Sequence, residues 1–160
     1  SLYSFEKDVL QARVKEYNIM AYKHDGYYAK IDSMDTYYKA NMEMLSTDIR
    51  DKIFLEKRPI YTKIRDNAPA KYGIGASVKN SLIADGCIVE ATVENSILIR
   101  GVKVGKDAVI KNSIIMQNTV IGKKCDVNYV ITDKSVEIQD FRNLTGSQYY
   151  PLYVGKGAKI

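Results

Sequence analysis

The chain has 160 residues, of which 46% are hydrophobic, so it can bury one core of ordinary size or two small ones. Its net charge of +5 comes from acidic and basic side chains mixed along the whole chain, without the basic stripe and interleaved aromatic residues of a nucleic-acid-binding protein. No stretch approaches the ~18 consecutive apolar residues of a membrane span. The N-terminal residues lack the basic start and apolar run of a signal peptide, so we expect a cytoplasmic protein.

Residues 1–58 have a mixed α and β pattern with three predicted helices. Ser4 is a candidate N-cap for the first helix, and Asp32 or Ser33 is a candidate N-cap for the second, because short polar side chains accept hydrogen bonds from the first turn. A third, short helix is predicted over residues 47–54.

Three segments in the first part of the chain have the composition of strands. Residues 19–23 and 27–31 flank a glycine-containing turn and predict two strands around it. Residues 58–65 predict another strand at the start of a connector, residues 59–72, which is rich in proline and turn-forming residues. The third part, residues 73–160, has a different, repeating sequence pattern.

A tetrad of Asn, Ser and two aliphatic residues recurs in this third part. Its copies are separated by 15, 17 and 16 residues, and glycine-containing hexapeptides lie between them. This is the pattern of a parallel β-helix, in which coils stack because one coil alone cannot bury its inward face. The copies begin at Asn80, Asn95, Asn112 and, in a weaker form, Asn128.

The asparagines of the tetrads are predicted to occupy equivalent corners of the coils. Two explanations stay open: the amides form a hydrogen-bonded ladder, or asparagine is simply the non-glycine residue that best tolerates a left-handed corner. Residues 141–151 break the repeat and residues 154–160 resume it, which predicts an excursion before a final coil. Within residues 141–153, Tyr149, Tyr150 and Tyr153 are candidates for a lid or an aromatic subunit contact.

The two cysteines, Cys87 and Cys125, are too few for a disulfide framework or a metal site. Each precedes a valine by two residues at a similar place in the repeat. We therefore expect both to be small, inward-facing core thiols.

Together these segments resemble the C-terminal part of glucose-1-phosphate adenylyltransferase (ADP-glucose pyrophosphorylase), and most closely its regulatory, non-catalytic bacterial subunit of glycogen biosynthesis. The resemblance implies a mainly β protein, a left-handed parallel β-helix preceded by a small α/β remnant of a nucleotidyltransferase domain. It also implies that the chain is a fragment that begins inside that domain. The matching segments are residues 5–10, 26–41, 68–72 and 80–87.

The chain departs from the family's catalytic members at Lys30, which stands where the resemblance implies an aspartate that holds a divalent metal ion. An ammonium group offers no oxygen ligand and repels the ion. No glycine-rich loop that could wrap a triphosphate is present in the sequence. We therefore expect no catalytic residue, metal site or cofactor in this chain, with Mg²⁺ and ATP bound by a catalytic partner subunit.

As partner we expect a catalytic paralogue, and the resemblance implies that the two form a hetero-tetramer. Self-association of this chain also remains possible. We expect neither nucleic acid nor a membrane as a partner. Candidate residues for binding an anionic effector are Lys156 and Lys159, with Lys71 and Arg65 at the connector. The alternative, that these are solvated cations on the rim of the β-helix, stays open.

Two other functions remain alternatives. A hexapeptide-repeat acyltransferase would need a catalytic histidine on the coils, but the single histidine, His24, lies outside them. The chain could also be the C-terminal domain of another sugar-nucleotide pyrophosphorylase or a subunit of a related translation factor.

Overall fold

The computed structural model describes residues 4–160; residues 1–3, which begin the sequence used to argue against a signal peptide, lie outside the described residues. Most of the chain after residue 70 forms short strands of two or three residues. In chain order they are β1 (Lys71–Tyr72), β2 (Ser77–Lys79), β3 (Leu82–Ile83), β4 (Ile88–Val89), β5 (Thr92–Glu94), β6 (Ile97–Leu98), β7 (Lys103–Val104), β8 (Val109–Lys111), β9 (Ile114–Ile115), β10 (Val120–Ile121), β11 (Asp126–Asn128), β12 (Val130–Thr132), β13 (Glu137–Ile138), β14 (Asn143–Thr145) and β15 (Leu152–Val154).

The strands form three parallel sheets of five strands each. The chain visits the sheets in turn, so every third strand lies beside its predecessor. Sheet A has the order β1-β4-β7-β10-β13, sheet B the order β2-β5-β8-β11-β14, and sheet C the order β3-β6-β9-β12-β15. The predicted parallel β-helix of hexapeptide repeats is therefore confirmed as a β-solenoid, while its left hand stays a prediction.

Aliphatic side chains from all three sheets fill the interior of the solenoid. Val89, Ile110 and Leu98, from sheets A, B and C, are each almost completely buried. The two cysteines belong to the same core cluster, as predicted. Burial raises the pKa of the Cys87 thiol, which keeps it protonated and unreactive at neutral pH.

Asparagines turn the chain at three corners between sheets B and C. Asn80, Asn95 and Asn112 have φ values of 45°, 45° and 46°, in the left-handed region that asparagine tolerates better than most residues. The amide of Asn80 also donates to Oδ1 of Asn95 at 2.8 Å. Both explanations of the asparagines therefore hold in part, because a ladder bond joins this pair.

The prediction that Asn128 occupies the fourth corner is wrong by one residue. Asn128 ends β11, where it pairs with Lys111. The corner itself is Tyr129, with φ of 53°. Asn128 nevertheless accepts a 3.0 Å hydrogen bond from the amide of Asn112.

The serines of the tetrads form a second ladder, inside the wall of the solenoid. Oγ of Ser96 accepts from the backbone N–H of Ser113 at 3.1 Å, and Oγ of Ser113 accepts from the N–H of Val130 at 3.1 Å. Each hydroxyl also donates to a carbonyl two residues before it. Because both side chains are buried, these bonds satisfy polar groups that water cannot reach.

The three predicted helices are present in the first part of the chain. Ser4 and Ser33 are the N-caps, and their hydroxyls accept from the N–H groups three residues later at 3.3 Å and 3.1 Å. The third helix ends one residue earlier than predicted. No helix in residues 4–160 is long and apolar enough to cross a membrane. The helices are a π-helix (Phe5–Gln11), α1 (Met34–Glu43) and α2 (Thr47–Ile53).

The strands predicted over residues 19–23, 27–31 and 58–65 are wrong. All three segments run as irregular backbone on the surface. Their composition favours strands, but a strand needs a neighbour that accepts its backbone hydrogen bonds. Among the described residues, no strand pairs with these segments.

The predicted excursion is shorter than residues 141–151. Strand β14 pairs with β11 and β15 pairs with β12, so the coil continues on both sides of a five-residue insertion. We name this insertion, residues 147–151, the tyrosine loop. The final coil is confirmed by the parallel bridge between Glu137 and Lys159.

Helix α1 packs on the outer face of sheet C mainly through Tyr38, which is 6% exposed, and the partly buried Tyr37 and Met42 pack against the same cluster. The ring of Tyr38 contacts Ile114 and Ile131, and its hydroxyl donates to the carbonyl of Asn112 at 2.7 Å. Burial raises the pKa of Tyr38 to about 12. This contact places α1 beside the tyrosine loop.

Candidate functional site

The four candidate effector residues do not form one site in this chain. Lys71 and Lys159 belong to the same row of side chains along sheet A, but at its two ends. Five strand-to-strand steps separate them, or about 24 Å at the usual spacing of strands. The row, in order, is Lys71, Ile88, Lys103, Val120, Glu137 and Lys159.

Lys159 and Lys156 lie close in sequence but differ in their contacts. Nζ of Lys159 forms an ion pair with Glu137 at 2.8 Å, and this hydrogen bond raises the pKa of Lys159. Lys156 is exposed on the corner between sheets C and A. The N–H of Gly157 donates to the carbonyl of Lys134 at 3.0 Å, so Lys134 occupies the same corner one coil earlier.

The pair formed by Lys134 and Lys156 is a candidate anion site that sequence reasoning missed. Both residues are exposed, and each precedes a residue with positive φ, Ser135 or Gly157. Aligning the corners of the coils could have found the pair. The two residues lie at the same corner of adjacent coils, whereas Glu137 partly neutralises Lys159.

Arg65 is exposed in the connector, just before the connector joins the solenoid. The joint is at the next residues: the amide of Asn67 donates to Oδ2 of Asp85 at 2.8 Å, and Nε of Arg100 donates to Oδ1 at 3.3 Å. The bond from Asn67 is the main cause of a lowered pKa at Asp85. Arg65 therefore lies beside the first coil, far from the lysines of the last coil.

The segment in which the sequence resemblance implies a metal-binding aspartate carries an ion pair between Lys30 and Asp32. Nζ of Lys30 lies 3.0 Å from Oδ2 of Asp32, and this bond raises the pKa of Lys30 and lowers that of Asp32. Asp32 also accepts from the hydroxyl of Thr36 at 3.3 Å. These residues do not fit a divalent cation, because the ammonium group occupies the carboxylate that would bind it. Within residues 4–160, no three His, Cys, Asp or Glu residues are grouped as metal ligands.

His24 lies in the exposed segment before α1, outside the coils. Its Nε2 is 3.2 Å from the carbonyl oxygen of Tyr27. The position matches the prediction that this histidine is not on the solenoid, where a hexapeptide acyltransferase would hold its general base.

A groove runs between α1 and the tyrosine loop, and we name it the aromatic cleft. It consists of two adjoining cavities of about 530 and 520 Å³, which share Asp35 and Tyr149. Sequence reasoning had identified the tyrosines but not the helix as the opposite wall, because no sequence pattern links residues more than 100 positions apart. The first cavity is lined by Asp35, Tyr38, Lys39, Met42, Glu43, Gln148 and Tyr149, and the second by Ser33, Met34, Asp35 and residues 149–153.

Backbone hydrogen bonds close the tyrosine loop into a tight turn. Ser147 and Tyr150 exchange two backbone bonds of 3.0 and 3.1 Å around a turn whose tip is Gln148 and Tyr149. At the base of the loop, Gly146 lies so close to the backbone of Tyr129 that no Cβ fits there. The rings of Tyr149 and Tyr150 are nevertheless 82% and 83% exposed.

Comparison with known proteins identifies the family. The family model described as "GlmU-like, C-terminal hexapeptide" matches residues 67–146, half of the chain. Glycogen biosynthesis protein GlgD of Bacillus subtilis (strain 168) is 42% identical over 97% of this chain and 45% of its own length. Glycogen biosynthesis protein GlgD of Geobacillus stearothermophilus is 45% identical over 58% of this chain and 34% of its own length.

A glucose-1-phosphate adenylyltransferase of Thermosipho africanus (strain TCF52B) is 34% identical over 69% of this chain and 27% of its own length. The chain thus spans less than half the length of these curated relatives. They confirm the resemblance found in the sequence. By the matching model and the coil repeat, the chain belongs to the GlmU-like C-terminal hexapeptide family.

Proposed function

We propose that this chain is the assembly and regulatory module of a glucose-1-phosphate adenylyltransferase system in glycogen biosynthesis, acting with a catalytic paralogue in the cytoplasm. The observation that carries the proposal is the 42% identity to a glycogen biosynthesis protein across 97% of the chain. In this proposal the paralogue binds ATP, glucose 1-phosphate and Mg²⁺ and makes ADP-glucose.

A non-catalytic role is supported by the chemistry around Lys30. Metal-assisted nucleotidyl transfer needs carboxylate oxygens that are free to bind the cation between the phosphates. Here the nearest carboxylate, Asp32, bonds Lys30 at 3.0 Å and Thr36 at 3.3 Å. The segment is therefore better suited to capping α1 than to catalysis.

An assembly role is supported by the open first coil of the solenoid. Strands β1, β2 and β3 each have a neighbour on one side only among the described residues. Tyr72, Ile74 and Val78 leave apolar surface exposed at this end. Because unpaired strand edges promote association, proteins usually cover them. We propose that subunit contacts in a hetero-tetramer cover this end.

The catalytic part of the proposal is tested by ADP-glucose synthesis from ATP and glucose 1-phosphate. The protein is assayed alone and mixed with its catalytic paralogue. We expect little turnover by the protein alone and a higher rate or stronger effector response in the mixture. Lys30→Ala should leave that stimulation unchanged. Full activity of the protein alone, abolished by Lys30→Ala, would overturn the proposal.

The assembly part is tested by light scattering of the mixture. Ile74→Asp places a charge on the open first coil and should lower the mass of the complex. Val120→Asp is the control, since Val120 is an exposed aliphatic residue, 42% exposed, that lies on the flat face of sheet A. If both substitutions lower the mass of the complex equally, or if neither lowers it, a contact at the open end is contradicted.

Effector binding is proposed at the last coil, with Lys156 and Lys159 as candidates and Lys71 and Arg65 as more distant ones. Each lysine is replaced singly by alanine, and the response of the assembled enzyme to anionic effectors is measured. Lys156→Ala should weaken the response more than Lys159→Ala, because Glu137 already pairs with Lys159. An unchanged response in both variants would exclude the last coil.

A further inference from the structure

We propose that the aromatic cleft binds a neutral, hydroxyl-rich chain, namely a segment of α-glucan. The choice of glucan among such ligands rests on the proposed role in glycogen biosynthesis. The proposal itself starts from the tyrosine loop, which places the largely exposed Tyr149 and Tyr150 beside the aromatic cleft. The exposed rings of this turn contribute nothing to the core, and aromatic side chains on a surface loop are typical of binding sites.

The helix forms one straight wall of the cleft. Asp35, Lys39 and Glu43 line the groove at intervals of four residues along α1. Residues four apart lie on the same face of a helix, so this wall extends over about 12 Å. Tyr38 and Met42 also line the groove from the same helix. The groove is therefore long enough for an extended ligand.

The polar groups of the cleft suit hydroxyl groups of a ligand. The carboxylates of Asp35 and Glu43 only accept hydrogen bonds, the ammonium of Lys39 only donates, and the amide of Gln148 does both. Oε2 of Glu43 already accepts from the hydroxyl of Tyr27 at 2.6 Å, which leaves its second oxygen. A sugar hydroxyl both donates and accepts, so the remaining groups can each find a partner on the same ligand. The faces of Tyr149 and Tyr150 supply flat apolar surface against which a sugar ring can lie.

The charges of the cleft argue against an anionic ligand. Two carboxylates and one ammonium face the first cavity, and Asp35 also lines the second. A phosphorylated metabolite would be repelled by the net negative charge of the cleft. The exposed lysines of the last coil offer it a more favourable binding site. The cleft and the candidate effector site therefore select different ligands.

The loop is organised before any ligand binds. The N–H of Tyr150 is shared between the carbonyl oxygen of Ser147 at 3.1 Å and Oγ of Ser147 at 3.2 Å. Pro151 is buried at the end of the loop. A ligand would then lose little binding energy to ordering the protein, which allows a shallow groove to bind a neutral sugar.

The test is native gel electrophoresis of the protein with and without glycogen in the gel, together with calorimetry with maltoheptaose. Wild type should be retarded by glycogen. Tyr149→Ala and Tyr150→Ala should each weaken binding roughly tenfold, as expected for the loss of one stacking ring. Tyr61→Ala is the matched control, because Tyr61 is 90% exposed in the connector, and it should bind like wild type. Cellohexaose, which has a different shape, should bind more weakly than maltoheptaose.

Wild-type protein that binds neither glycogen nor maltoheptaose would overturn the proposal. Unchanged glucan binding in both loop variants would also overturn it. If the loop variants in addition lower the mass of the oligomer, the cleft is a protein interface. Glucan binding is measured on the protein alone, whereas the proposed function is measured as stimulated ADP-glucose synthesis. Loss of one with survival of the other therefore distinguishes the two proposals.

Discussion

The solenoid and the residues before it use hydrophobic side chains in opposite ways. In the solenoid, each inward side chain meets its counterpart from the next coil, and Val93, Ile110 and Val127 in neighbouring coils of sheet B are completely buried. Among residues 4–66, only Tyr38 is buried. The first part contains comparable apolar residues, so composition alone does not decide burial.

The difference teaches what a repeat contributes. Strands of two or three residues are far too short to be stable singly, but a coil 15 or 17 residues away supplies a neighbour in the same register. Residues 58–65 have a strand composition without any such neighbour in the described chain. Substitutions of the same residue type in the two regions measure this difference directly.

The largest expected effect comes from truncating an isoleucine in the solenoid. Ile110→Ala removes a side chain that is 0% exposed and should lower the free energy of unfolding by about 2–5 kcal/mol, because a cavity remains in the core. Ile64→Ala, at a side chain that is 86% exposed, should change it by less than about 0.5 kcal/mol. Urea unfolding followed by circular dichroism measures both. Similar losses in the two variants would mean that residues 58–65 are packed in solution.

Replacing a glycine by alanine should have different effects in the inner coils and in the last coil of the solenoid. A Cβ at Gly122 would lie 2.6 Å from the backbone nitrogen of Asp140, so Gly122→Ala should destabilise the solenoid by about 1–3 kcal/mol. At Gly155 a Cβ meets nothing within 4 Å, and Gly155→Ala should be neutral. Thermal unfolding of the two variants checks the contrast. A large loss for Gly155→Ala would indicate that another chain covers the last coil in solution.

The sequence predicted the solenoid because its signal is local and repeated. The tetrad identified three corners correctly, but it missed the fourth by one residue, since Tyr129 adopts a conformation for which tyrosine has no preference. The candidate site was harder to predict. Whether Lys71 and Lys159 meet depends on the number of coils between them, and the opposite wall of the aromatic cleft depends on how α1 packs on sheet C.

The contact between the two regions should weaken at high pH. Burial raises the pKa of Tyr38 to about 12, above the ordinary value of 10 for tyrosine. The neutral hydroxyl thus stabilises the packing of α1 fully below pH 10, and this stability is lost as the pH rises through the pKa of the folded state. Tyr38→Phe should lower the stability by about 1 kcal/mol at neutral pH and remove this part of the alkaline loss. Urea unfolding of the variant and the wild type between pH 8 and pH 12 tests this divergence, which should begin above pH 10. Parallel pH profiles of stability up to pH 12 would contradict it.

At the corners of the solenoid, substitution by alanine should cost more stability than substitution by glycine. Asn112 has φ of 46°, where a Cβ is unfavourable and glycine is not. Asn112→Ala should therefore cost about 1 kcal/mol more than Asn112→Gly, because both lose the bond to Asn128 but only alanine is strained. Urea midpoints of the two variants give the difference. Equal midpoints would mean that the amide bond, and not the backbone conformation, explains asparagine at this corner.

The smallest expected effect concerns the joint between the connector and the first coil. The amide of Asn67, 2.8 Å from Asp85, is the largest cause of the lowered pKa of that carboxyl group, and Arg100 contributes less. The joint is stabilised at pH values above the ordinary pKa of aspartate, and the stabilisation is lost as the pH falls through the lowered pKa of the folded state. Asn67→Ala should raise the pKa of Asp85 toward its ordinary value, whereas Arg100→Ala should raise it less. NMR titration of the Asp85 carboxyl carbon measures both shifts. If Arg100→Ala has the larger effect, the ion pair and not the connector holds this corner, and residues 66–70 would be free to leave the solenoid.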